Sequence, residues 1–191
     1  GNIKTGGFDL NGLWVPWYTL HKTMAGLRDA YRHTGNHTAL EMGVKIANWV
    51  EAVLADLTEA QVQNMLDAEF GGMNEVLADL YADTGDRRWL ALSYRFEHHR
   101  MLGPLKRHQD VLPGIHGNTQ VPKLVGSAAR YAYAQDPQDI IAASFFWDRV
   151  VQHHSFATGG HGRNDYFGQP DEHNDRIDGR TAESCNIYNM L

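Results

Sequence analysis

Tyr31, Tyr81 and Tyr131 stand fifty positions apart, and each opens a similar run. Tyr31-Arg32-His33-Thr34-Gly35-Asn36 recurs as Tyr81-Ala82-Asp83-Thr84-Gly85-Asp86, and more loosely as Tyr131-Ala132-Tyr133-Ala134-Gln135-Asp136. Apolar positions after each turn keep the same offset: Leu40, Leu90 and Ile140, then Ile46, Phe96 and Phe146. The pattern predicts a helix, a tight turn and a second helix, used three times. Gly35 and Gly85 stand where a helix C-terminus wants a left-handed residue, and Pro137 is expected to stop the first helix of the third copy. Repeats of this length build solenoids or closed rings of hairpins.

The connecting segments favour the ring. They are long, aromatic and polar: Trp14 to His21, Phe70 to Glu75, Leu112 to Gln120 and Thr158 to Glu183. Each precedes the first helix of a hairpin, so a closed (α/α) toroid gathers them on one face around a pocket. His21, His116, Asn118, Asp165 and Glu183 are therefore expected to converge. At 191 residues and 42% hydrophobic, the chain can bury a core. A net charge of −6 argues against a general nucleic-acid binder, and no apolar run reaches the length of a membrane span. The chain opens at Gly1 without a methionine, so the true start is expected to lie further upstream. One cysteine excludes an internal disulfide framework and leaves the redox compartment open.

Four stretches carry candidate chemistry. Trp14, Trp17 and Tyr18 beside His21 suit a sugar-binding wall, because a ring face covers the apolar C–H face of a sugar. A Trp-rich core edge with a satisfied histidine explains the same residues, and Thr19 is a candidate N-cap for the helix that follows. Gly71-Gly72 let the backbone approach closely before Asn74 and Glu75, although the helix dipole alone accounts for a carboxylate at that place. His116, Asn118, Thr119 and Gln120 offer neutral donors and acceptors of the kind that read sugar hydroxyls.

The last stretch, from Thr158, loses helical periodicity for more than twenty residues. Such a loop in a helical domain is uncommon and is functional or disordered. Tyr166, Phe167, Ile177 and Tyr188 give it apolar anchors, which favours a functional loop. Asp165, Asp171, Glu172, Asp175 and Asp178 are candidate acids, with His161 and His173 among them. Glycoside cleavage needs a proton donor opposite a nucleophile or an activated water. Glu183 and Cys185 place a hard and a soft ligand two positions apart, a plausible half of a zinc site. A lone helical cysteine is more often buried and inert.

Six runs resemble one known family. They are Trp-Val-Pro-Trp-Tyr-Thr-Leu-His-Lys (14–22), Gly-Gly-Met-Asn-Glu (71–75), His-Gly-Asn-Thr-Gln-Val-Pro-Lys (116–123), Thr-Gly-Gly (158–160), Phe-Gly-Gln-Pro-Asp-Glu (167–172) and Ala-Glu-Ser-Cys-Asn-Ile-Tyr-Asn-Met-Leu (182–191). Together they resemble the β-L-arabinofuranosidases of glycoside hydrolase family 127 and the related family 146. The resemblance implies an (α/α)6 barrel followed by β-sandwich domains. It further implies a retaining hydrolase with a cysteine nucleophile, a glutamate acid/base, and a zinc ion held by one glutamate and three cysteines.

Carried onto this chain, the resemblance makes Glu183 and Cys185 the first two zinc ligands. It places the acid/base at Asp165, where relatives carry glutamate. His21 and His116 are then sugar-pocket residues, with Trp17, Tyr18, Asn74, Glu75, Asn118 and Gln120 around them. The nucleophilic cysteine belongs to a Cys-Cys motif that this sequence does not contain. The chain, residues 1–191, thus corresponds to part of the barrel: three hairpins and the start of a seventh helix, about half the ring. It is expected to be inactive and free of zinc by itself, to take a carbohydrate as substrate, and to self-associate through exposed half-barrel faces. Two other readings stay open: a different toroid sugar enzyme, lyase or epimerase, without zinc, and a non-catalytic helical-repeat binding protein.

Overall fold

The computed structural model describes residues 12, 13, 15–181 and 183–191. Trp14 and Ala182, like the segment through residue 11, lie outside the described residues. Among the described residues the regular structure is all helical, with nine α-helices and two isolated β-bridges. They are α1 (Pro16–Thr34), α2 (His37–Ala55), α3 (Glu59–Leu66), α4 (Met73–Thr84), α5 (Arg87–Arg95), α6 (His99–Lys106), α7 (Gly117–Ala134), α8 (Pro137–Arg149) and α9 (Ser184–Met190). No helix among them is long and apolar enough to cross a membrane.

The hairpins are α1–α2, α4–α5 and α7–α8, joined by two-residue connections built to one plan. Gly35, Gly85 and Gln135 take left-handed backbone and donate their N–H groups to the carbonyls of Tyr31, Tyr81 and Tyr131. The next residue caps the second helix with its side chain: Asn36 to Ala39 N–H, Asp86 to Arg88 N–H, Asp136 to Gln138 N–H. The fifty-residue period is the repetition of this paired cap. Pro137 does not stop α7, because Gln135 already ends it; the proline starts α8, where its missing N–H costs nothing. Pro16 does the same for α1, so Thr19 lies inside the helix with its hydroxyl on the Val15 carbonyl instead of capping it. Two short helices, α3 and α6, lead from one hairpin toward the next. A capping box between Thr58 and Gln61 starts α3.

The chain divides into two compact units, one ending at His98 and one beginning at His99. In the first, α1, α2, α4 and α5 surround a core that includes Trp17, Val50, Met65, Phe70, Leu77 and Phe96. Arg28 of α1 reaches Asp79 at 2.6 Å and Asp83 at 2.9 Å on α4, fixing the pair across their polar edge. In the second, Leu102, Leu105, Leu112, Phe146 and Phe167 form the core between α6, α7 and α8. Burial after each hairpin turn falls on Ala39, Trp89 and Asp139, with Leu40, Leu90 and Ile140 only half buried. Asp139 is tolerated there because Arg130 pairs with it at 2.6 Å, both side chains being fully buried. Beyond Arg149, α8 runs into one π-helical turn over Val150–His154.

Candidate active site

The site in the second unit begins with a tight turn. Arg163 and Tyr166 exchange both backbone hydrogen bonds, at 3.1 and 3.2 Å. Between them Asn164 and Asp165 both hold positive φ, 53° and 65°. This is the pattern of primed hairpin turns, in which asparagine and aspartate replace glycine at modest cost. The returning strand lies against the segment before α7. Phe167 N–H donates to the Ile115 carbonyl, Gly114 N–H to the Phe167 carbonyl, and Gly117 N–H to the Asp165 carbonyl. Phe167, fully buried against Phe146 and His154, anchors the strand from below. The acid of the final loop is thus held beside the N-terminus of α7.

His116 is the N-cap of that helix. Its Nδ1 accepts the Thr119 N–H at 3.2 Å, which leaves the proton of the neutral ring on Nε2. Nε2 faces Asp165 Oδ2 at 3.8 Å. Gln120, nearly buried, donates to the His116 carbonyl, and Asn118 Oδ1 accepts from Asn189 of α9 at 2.7 Å. Those two residues position neighbours: Gln120 holds the His116 backbone, and Asn118 ties α7 to α9.

Glu183 and Cys185 open α9. The thiol donates to Glu183 Oε1 at 3.2 Å. Asp165 joins them, and one ligand atom from each of the three lies within 4.8 Å of the others. Burial first, then a hydrogen bond and charge from Glu183, push the Asp165 carboxyl up, against the pull of His116. Bonds from Cys185 and Asp165 hold Glu183 down. Of the two acids, Asp165 is therefore the one that keeps a proton to higher pH. Burial, Glu183 and Asp165 together push the Cys185 thiol up. Asn164, Gly179, Arg180 and Glu183 line a polar depression beside this group.

The remaining acids of the loop are otherwise engaged. Asp178 is gripped by Arg180 and by Arg163, and the Arg180 bonds hold it far below the carboxylate range, so it keeps no proton to give. Asp171 pairs with His153, and Glu172 and Asp175 are exposed. His161 bonds Ser155 at 2.8 Å, and His173 contacts the His153 carbonyl. None of these residues joins the Asp165 cluster.

In the first unit the expected sugar wall separates into two parts. Trp17 is fully buried, edge-on to Phe96 at 5.2 Å and beside Trp49. It is a core residue and offers no ring face to a sugar, which corrects that expectation. Asn74 is likewise fully buried, and its carbonyl accepts from Ser93. By contrast, Tyr18, His21 and Glu75 gather around Gly71 and Gly72.

Zinc fits the second-unit cluster on its chemistry. Two ligands of a tetrahedral zinc ion stand about 3.5 Å apart, and the Glu183 oxygen and Cys185 sulfur are 3.2 Å apart. Thr119, named from the sequence among the polar residues of its run, sets the His116 tautomer, whereas Asn164, which completes the turn, was not singled out; an Asn-Asp pair after a Gly-rich segment was the available signal.

No curated protein matches the chain. The family model described as "Beta-L-arabinofuranosidase, GH127 catalytic domain" matches residues 2–191, nearly the full length. The chain belongs to the GH127 β-L-arabinofuranosidase catalytic-domain family.

Proposed function

We propose that this chain supplies the acid/base side and part of the metal site of a retaining hydrolase of β-L-arabinofuranosides. The observation that carries the reading is Asp165. It sits in a turn of two left-handed residues, beside a histidine whose tautomer is fixed, and burial and Glu183 push its carboxyl up, the direction a proton donor needs. Asp165 gives its proton to the oxygen of the departing sugar or aglycone, then takes one back from the water that completes hydrolysis. His116 Nε2–H faces the carboxylate left after the first transfer and stabilises its charge.

Glu183 and Cys185 would hold the zinc ion of the family. When bound, zinc supplies positive charge that keeps thiols ionised at neutral pH. Cys185 is the only cysteine in this sequence, and the family's nucleophile belongs to a separate Cys-Cys motif. Turnover on this reading therefore requires that motif in addition to these residues, and the chain by itself binds zinc weakly.

The test compares leaving groups in the protein that carries both the chain and the motif. Asp165→Asn should slow release of arabinose from an alkyl arabinofuranoside by 100-fold or more, roughly the range of general acid catalysis. A 4-nitrophenyl arabinofuranoside, whose leaving group needs no proton, should lose much less in its first step. Equal losses on both substrates would remove Asp165 from the acid role.

A further inference from the structure

Gly117, the first residue of α7, is a point of contact for both halves of the acidic cluster in the second unit. It is buried, and its N–H donates to the Asp165 carbonyl. It also meets α9. A Cβ at Gly117 would stand 2.7 Å from Asn186 Nδ2, 3.2 Å from Asn186 Cγ and 3.1 Å from the Phe167 ring. The Asn186 amide thus lies in the space that a side chain at 117 would take. Gly117 is helical without positive φ, so the close approach of Asn186 and Phe167, and not the backbone conformation, calls for a glycine.

The placement of α9 depends on this contact. The helix has seven residues, too few to hold a helical segment in water by itself. What it packs on therefore decides where it lies. Asn186 rests on Gly117, and Asn189, three residues on and on the same helix face, donates to Asn118 Oδ1 at 2.7 Å. Met190 joins the apolar core of the unit. Glu183 and Cys185 stand at the start of the helix and are carried with it. Asn186 directly follows Cys185 and is 2% exposed, so its short side chain has no solvent to swing into. A change in its seat on Gly117 is passed to the helix backbone.

We propose that Asn186 is a positioning residue of the site: packed on the bare Cα of Gly117, it sets how far Glu183 and Cys185 of α9 stand from Asp165. It acts through those side chains and makes no bond to the sugar. The proposal rests on the hydrolase reading given above and adds to it a contact between α7 and α9 on which proton transfer depends.

The test uses the protein that carries this chain together with the Cys-Cys motif, with circular dichroism as the check on folding. Gly117→Ala pushes Asn186 and its helix away from α7. It should slow hydrolysis of an alkyl β-L-arabinofuranoside about tenfold or more, because proton transfer is sensitive to displacements below 1 Å or so. The first step on the 4-nitrophenyl substrate should lose much less, and zinc content should be unchanged, since Glu183 and Cys185 move together. Asn186→Ser shortens the obstructing side chain, so the double variant Gly117→Ala with Asn186→Ser should hydrolyse the alkyl substrate faster than Gly117→Ala alone. Urea unfolding reads the contact without turnover: Gly117→Ala should lower the midpoint less in the Asn186→Ser background than in the wild type. If Gly117→Ala does not fold, Asn186→Gln, which lengthens the side chain against Gly117, should show the same selective loss on the alkyl substrate. Equal losses on both substrates, or no gain from adding Asn186→Ser, would overturn the positioning role alone. Absence of hydrolysis of both substrates by the wild-type protein would overturn the hydrolase reading, and the positioning role with it.

Discussion

His116 Nε2 lies 3.8 Å from Asp165 Oδ2 while the opposite nitrogen of the same ring caps α7 through Thr119. One imidazole thus joins the helix start to the acid of the loop. Capping fixes which nitrogen carries the proton, and the proton faces the carboxyl. Local helix geometry here sets the electrostatics of the site.

His116→Ala should therefore do two separable things. Loss of the cap should cost about 1 kcal/mol of stability, measured by urea unfolding. Loss of the donor should also lower turnover. His116→Asn, whose short side chain can cap but cannot reach Asp165, should restore stability and leave turnover low. Recovery of both together would mean that capping is the whole role.

The two titrating residues of the first unit pull stability in opposite directions. Burial, reinforced by the Lys22 charge, lowers His21 to about 4 from an ordinary 6.5. Between those values the unfolded chain binds a proton that the folded chain does not, so this contribution is lost as pH falls. Burial and Asp79, opposed by Lys22 and Arg28, raise Glu75 from 4.5 to about 7. Here the folded chain holds the extra proton, and stability is lost as pH rises through that window. Glu75→Gln should accordingly gain on the wild type between pH 5 and pH 8, by about 2 kcal/mol. His21→Gln should flatten the decline between pH 6.5 and pH 4. Urea melts across pH check both signs.

Arg130 and Asp139 form an ion pair in which neither side chain is exposed. Asp139→Ala strands a buried guanidinium and should cost about 3–5 kcal/mol. The double replacement Arg130→Met with Asp139→Leu removes both charges and should recover most of that loss. Equal destabilisation of the single and double variants would show that the pair is not what holds α7 to α8.

The hairpins were legible because their signals are local. Glycine at 35 and 85 and an Asn or Asp after each turn mark left-handed caps and N-caps directly, and the fifty-residue spacing repeats them. Gln135 carries no such mark, since a non-glycine left-handed cap depends on its surroundings. Of the apolar offsets, Phe96 and Phe146 are buried, while burial near the turns falls one residue before Leu40, Leu90 and Ile140, in the third copy on Asp139. Its partner Arg130 lies across the turn and can be paired with it only in three dimensions. Trp17 shows the opposite limit. An aromatic beside a histidine reads as a sugar wall or a core edge alike, and packing on Phe96 and Trp49 decides for the core. Spacing draws attention to Glu183 and Cys185, while Asp165 is one of five candidate acids of the loop that only the family resemblance singles out. Its proximity to them comes from the 163–166 turn and the bridge between His116 and Tyr166, which no local pattern announces.

The side chain at position 165 is one methylene shorter than the glutamate that the resemblance places there. Asp165→Glu should extend its reach by about 1 Å, and proton transfer is sensitive to displacements of that size. If the turn at Asn164 and Asp165 compensates for the shorter acid, Asp165→Glu should lower turnover on alkyl arabinofuranosides. Increased turnover would show that the aspartate is an imperfect replacement. Steady-state rates of the two enzymes on one alkyl substrate separate these outcomes.

The most direct measurement follows the anomeric proton of released arabinose by NMR during the first minutes of hydrolysis of a β-L-arabinofuranoside, using the protein that carries this chain together with the Cys-Cys motif. The account predicts that β-L-arabinofuranose is the first product and equilibrates later to its other forms, with Asp165→Asn slowing its appearance. Release of the α-anomer first, or release unaffected by Asp165→Asn and Glu183→Ala, would contradict it.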